Sequence, residues 1–155
     1  MLYDDVEEPG DTSPARLRGE YVAELRAVVD SRGVDAVADE SGVDHETVAA
    51  LVADADVGGD AGTEADADPG TIQLSDAAAI LATDPDAPAG EDILLEVRDH
   101  LLMGMTTAVL DVDTLAAEID ADLDAKQVHQ KVEGRTPMTL DEYARLQHFI
   151  ASRQR

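Results

Sequence analysis

The chain has two lysines, Lys126 and Lys131, and both fall in one short run, AKQVHQKV at 125–132, with Gln127, His129 and Gln130 between them. Arg135 follows closely, and Arg145 lies further on. Lysine and arginine can neutralise phosphate, while a glutamine amide can pair with the edge of adenine. That is chemistry for holding nucleic acid rather than for turning over a substrate. At about 100° per residue, a helix over this run turns Ala125, Val128 and Val132 to one side. Lys126, Gln127 and Gln130 then point away, with His129 and Lys131 on the flanks. The candidate contact residues are therefore Lys126, Gln127, Gln130, Lys131, Arg135 and Arg145, and the expected partner is DNA.

Catalysis has weaker support. The chain contains no cysteine, so thiolate nucleophiles, disulfides and cysteine metal sites are excluded. His45, His100, His129 and His148 lie in four separate segments, and no HExxH, GxxxxGK[ST], GxGxxG or GxSxG run occurs. Asp54, Asp56 and Asp60 hint at a calcium loop, but no glutamate stands at its twelfth position. His100 beside Asp99 reads as a helix-surface pair. We expect no catalytic residue, no metal and no cofactor, hence not an enzyme.

The charge balance sets the contact run apart. Thirty-five acidic residues oppose 11 Lys plus Arg, a net charge of −24. From 126 onward, Lys126, Lys131, Arg135, Arg145, Arg153 and Arg155 face Glu133, Asp141 and Glu142, a net of +3, which leaves −27 for residues 1–125. The plainer account of those cations is that they suit helix C-termini and a frayed tail.

Positioning elements follow from periodicity. Hydrophobic residues form 44% of the chain but aromatics only 3%, so the core must be built from Ala, Val, Leu and Ile. Sustained alternation is rare, which predicts an all-α fold. Residues 1–12 read as a loose lead-in. Ser13 and Pro14 start a helix to about Asp30, with Leu17, Tyr21, Leu25 and Val28 on one face and Gly33 as its stop. In 34–54, Val37 and Ala38 lie on a short helix, Gly42 makes a turn plugged by Val43, and Asp44 caps a helix that buries Val48 and Leu51. This is a helix-turn-helix pattern whose exposed Asp44, His45 and Glu46 would repel phosphate.

Residues 54–70 are an acidic, low-complexity loop. A short helix capped by Ser75 follows, carrying Ala78, Ile80 and Leu81; Pro85 to Asp92 breaks it. A helix from about Asp92 to Thr107 places Ile93, Val97, Leu101 and Met105 at four-residue steps. Leu94, Leu95 and Leu102 widen its apolar face, so we expect it packed on more than one side. A helix at 114–119 precedes the one capped by Asp124 and ended by Gly134. Thr139 and Glu142 form a capping box for a last helix burying Leu140, Tyr143, Leu146 and Ile150.

The run VHQKVEGRTPMTLDEYARL at 128–146, with Leu115 and Ala116 before it, resembles helix-turn-helix domains of the lambda-repressor-like (Xre) class. Asp120 stands where that motif usually has glycine, and DADLDA lengthens the turn by two residues. That resemblance implies a recognition helix at 125–132 and a transcriptional regulator. The whole chain resembles an uncharacterised haloarchaeal family of unknown function; its acid coat suits molar salt, where surface charge is screened. Internal duplication is one reading of the two halves, aligning Ala38 to Val48 with Ala116 to Val128 and LSDAAAIL (74–81) with LDEYARLQ (140–147).

The expected organisation is a helix-turn-helix-like unit at 1–53, the acidic loop at 54–70, a short helix and connector at 71–90, and a second unit at 91–155. The alternative to DNA binding is a non-enzymatic protein-interaction or adaptor module, with a homodimer or a protein partner. No signal-like run opens the sequence. Its most apolar stretch, LLMGMTTAVL at 101–110, is about half the roughly 20 residues a span requires. We expect a cytoplasmic protein without membrane contact.

Overall fold

The computed structural model describes residue 2 and residues 9–57, 72–119 and 122–153. Among them the fold is all-helical: α1 (Pro14–Arg32), α2 (Val34–Ser41), α3 (His45–Val57), α4 (Leu74–Leu81), α5 (Gly90–Ala108), α6 (Val112–Glu118), α7 (Ala125–Val132) and α8 (Leu140–Arg153). Most helix ends follow from local chemistry. Ser13 accepts a hydrogen bond from the Arg16 N–H at 3.2 Å, with Pro14 in the first turn. Gly42 takes the left-handed conformation (φ 77°, ψ 4°) between α2 and α3, where a side chain would be strained. Thr139 and Glu142 exchange hydrogen bonds with each other's backbone N–H at 3.1 and 3.0 Å, opening α8 with a capping box.

One hydrophobic cluster draws on every helix. The helix α8 supplies Leu140, Tyr143, Leu146 and Ile150, and α1 lies against it through Leu17, Tyr21 and Leu25. The Tyr21 and Tyr143 rings meet at 5.5 Å between centroids. Leu2, expected in a loose lead-in, is instead fully buried, and the Tyr143 hydroxyl donates to its carbonyl at 2.6 Å. On α1, Val29 is the buried residue and Val28 only partly so. The helix α3 runs to Val57, past the expected start of the acidic loop; residues 58–71 lie outside the described residues.

The two halves touch in a reciprocal way. Both α1 and α5 have 19 residues, and each packs on the last helix of its own half and of the other, α1 on α4 and α8, α5 on α8 and α4. Where α4 and α8 begin, Gln73 and Thr139 form an isolated antiparallel bridge. The Leu74 N–H donates to the Met138 carbonyl at 2.7 Å, and the Leu140 N–H to the Ile72 carbonyl at 2.8 Å. This bridge sets the start of α4, so its N-cap is Gln73 rather than the expected Ser75, which lies one turn position inside.

Candidate functional site

The helix α7 forms over the expected run. Asp124 accepts from the Gln127 N–H at 2.8 Å while the Gln127 side-chain oxygen accepts from the Asp124 N–H at 2.9 Å, a complete capping box. Val128 and Val132 are buried, Lys126 and Gln127 are exposed, and Gln130 is half-buried. Glu133 caps the helix end, and Gly134 follows at φ 81°.

Its cations are mostly engaged. Lys131 sits within the structure rather than on an open flank: its side chain is 16% exposed, and Nζ donates to the Pro137 carbonyl at 2.7 Å and to Glu142 Oε1 at 3.0 Å. Arg135 pairs with Glu133 at 3.2 Å, and Glu133 also meets His129 at 3.1 Å. Arg145 and Arg18 share Asp141 at 2.9 and 3.2 Å, and Arg153 pairs with Glu118. Among the described residues Lys126 alone of the four candidate cations has no such partner.

Asp122 and Asp124 lie immediately before the net-positive stretch that begins at residue 126, and Asp124 is part of α7's own start. Between 122 and 145, Lys126, Lys131, Arg135 and Arg145 face Asp122, Asp124, Glu133, Asp141 and Glu142. The face is a lattice of ion pairs rather than a positive ridge. One helix earlier, Asp111 caps α6 by accepting the Thr114 N–H at 2.8 Å, and that hydrogen bond holds its carboxyl below the usual aspartate value. The α2–α3 motif keeps its acidic surface: Asp35 contacts His45 at 2.8 Å and Glu40 pairs with Arg32, while exposed Asp39, Asp44 and Glu46 form no ion pair among the described residues.

A different surface is left open. On α5 the inner residues Ile93, Val97, Leu101 and Met105 are buried as the four-residue spacing predicts. Leu95 and Leu102, expected to widen that inner face, point outward instead. Leu95 is 52% exposed, Leu102 43%, Met103 67% and Val109 89%. Leu95 and Leu102 are seven residues apart, a drift of about 20°, so they lie on one stripe of α5, and exposed Val109 follows at its C-cap. Asp92, Glu96 and Asp99, all exposed, flank one side of it, and half-buried Arg98 lies on the other. Val109 ends α5 in the left-handed conformation (φ 55°, ψ 51°), unusual for a β-branched residue. At 100° per residue Leu95 and Leu102 lie about 160° and 140° from Val97, an angle readable in the sequence that separates them from the buried set.

These surfaces belong to an all-helical protein in which, among the described residues, no helix is long and apolar enough to cross a membrane. Residues 17–153 match the model of DUF5791, a family of unknown function, and the chain belongs to that family. No curated protein and no solved structure matches it.

Proposed function

We propose that this protein is a non-catalytic helical binding module that holds a basic, amphipathic segment of another protein on the outer face of α5. The observation that carries the reading is the exposure of Leu95, Leu102 and Val109, with Met103 exposed further round α5 on the acidic side. Covering it recovers about 25 cal/mol for each Å² of apolar surface withdrawn from water. Asp92, Glu96 and Asp99 along one edge select lysines or arginines on the partner. The net charge of −24 argues against a second copy in that place, since two such molecules repel. Val109 supports the same reading, because it combines a strained backbone with a solvated side chain that serves no packing purpose within the chain.

A photoreactive amino acid in place of Leu102, in the cell of origin, tests this, with the same substitution at Lys126 as reference. The expected product joins position 102 to a Lys/Arg-rich amphipathic segment. A product joining position 102 to another copy of the chain, or labelling only from position 126, would refute it.

A DNA-binding regulator is the second reading. It is supported by Lys126, exposed and unpaired among the described residues on a helix that follows α6 in helix-turn-helix order. Lys126→Glu with Gln130→Glu should then abolish DNA affinity, and unchanged affinity would dispose of that reading. Internal duplication fits either one. The bridge joins like positions, since Gln73 precedes α4 as Thr139 precedes α8, and its two hydrogen bonds exchange under that equivalence.

A further inference from the structure

Between α4, α5 and the turn that joins α7 to α8 lies a cavity of about 290 Å³. Leu94, Val97, Leu101 and Met138 supply apolar walls, and Arg98, Lys131 and Arg135 line it as well. Acidic residues outnumber basic ones 35 to 11 in the chain, yet none lines this cavity and three cations do. Such a sorting of charge is the reverse of what the surrounding surface would give.

Arg98 is the telling residue. It is half-buried, and among the described residues it makes no hydrogen bond or ion pair. Its guanidinium lies over Gly134, where an added Cβ would stand 2.7 Å from Arg98 Cζ and Nε. Gly134, at φ 81°, thus lets the arginine reach the cavity as well as making the turn. Without a protein partner the Arg98 guanidinium keeps its donors available, and an anion in the cavity would take them in charge-assisted hydrogen bonds. Lys131, held by Glu142 and Pro137, adds a fixed charge at the edge. Arg135, 70% exposed, can leave Glu133 at small cost. Ser75 and Thr136 add hydroxyls beside the cations.

We propose that this cavity binds a small organic anion with a hydrocarbon portion, a carboxylate or a phosphate monoester. The anionic head sits on Arg98 and Arg135, and the chain lies over Leu94, Val97, Leu101 and Met138. The volume is at the lower edge of ligand cavities, roughly 300–1,000 Å³, which suits a small ligand. The site borders the outer stripe of α5 at Arg98 but is lined by none of Leu95, Leu102 and Val109, and it does not depend on the partner proposed for them.

The test is a titration of the full chain with hexanoate and with hexyl phosphate, followed by the amide shift of Gly134 and the methyl shift of Met138. Hexanol and inorganic phosphate each carry one half of the ligand and serve as controls. One of the two anions should bind saturably, at least tenfold more tightly than either control, and which one does so tells carboxylates from phosphate esters. Arg98→Leu should weaken that anion at least tenfold, and Arg98→Lys should restore part of the loss. Equal binding of hexanol, no saturable shift with either anion, or unchanged affinity in Arg98→Leu would overturn the proposal. The first two outcomes are read on the unaltered protein, so a folding defect in the variants cannot mask them. If Arg98 serves only as a counter-charge to the C-terminal end of α7, Arg98→Leu lowers the unfolding temperature and neither anion binds.

Discussion

Around α7 most of the cations meet a carboxylate; on the outer face of α5, Leu95, Leu102, Met103 and Val109 leave between 43% and 89% of their surface to solvent, and the Arg98 side chain has no partner among the described residues. A cation already paired must surrender a carboxylate before it can hold a phosphate. For Arg135 on Glu133 that surrender is small, since exposed pairs contribute about 0–1 kcal/mol. For Lys131, bonded to both Glu142 and the Pro137 carbonyl, it is larger. An exposed leucine surrenders nothing when a partner covers it. Composition alone made α7 look like the contact surface; partnering within the fold points to α5.

The largest expected contrast lies between neighbours on α5. Leu101→Ala should cost about 2–5 kcal/mol in denaturant unfolding, because Leu101 is buried and its removal leaves a cavity. Leu102→Ala should stay within about 0.5 kcal/mol, as surface changes do. A comparable loss for both would mean that the outer face is packed in solution.

Next is Val109→Gly. Relief of the left-handed conformation should stabilise the free protein by about 1 kcal/mol, read as a raised unfolding temperature, while contact at the stripe weakens. A lower unfolding temperature would show that the Val109 side chain packs within the chain.

The two lysines should then separate by about 1 kcal/mol. Lys131→Ala loses its hydrogen bonds to Glu142 and Pro137, whereas Lys126→Ala loses no partner. Equal effects would erase the distinction between the pinned and the open cation.

The smallest effect concerns Asp111. Its carboxyl titrates lower in the folded chain than in the unfolded one because it caps α6. Its stabilisation is therefore complete above the ordinary value of 3.8 and is lost as pH falls through the lowered folded value. Asp111→Asn should flatten that acid limb without shifting stability near neutrality by the same amount. An unaltered acid limb would place the titration elsewhere.

Much of the fold was legible because its signals are local. Ser13 with Pro14, Gly33, Gly42, Asp124, and Thr139 with Glu142 each fix a helix end through atoms a few residues apart, whereas Gln127, expected as a contact residue, completes the cap at Asp124. The four-residue steps of Ile93, Val97, Leu101 and Met105 likewise fixed the inner face of α5. The misreadings arose where distant segments meet. Leu2 joins the core through Tyr143, 141 residues away. Ser75 lost its capping position to a bridge with Thr139. The pairing of Lys131 with Glu142 depends on how the α7–α8 turn folds back, which no spacing rule supplies. Arg98 shares a cavity with Lys131 and Arg135 only after α5 and that turn are packed together. Leu95 and Leu102 are as apolar as their buried neighbours, and only their angle around α5 sets them outside the core.

The most direct measurement is an NMR titration of the chain with an idealised amphipathic helical peptide of leucine and lysine, observing the methyl groups of Leu95, Leu102, Met103 and Val109. The account predicts saturable shifts centred on these four residues. It also predicts at least a tenfold loss of affinity in the double variant Leu95→Asp with Leu102→Asp, even though that variant adds charge attractive to the peptide, and no loss in Lys126→Glu. Undiminished binding by the double variant, or shifts centred on another face, would contradict it.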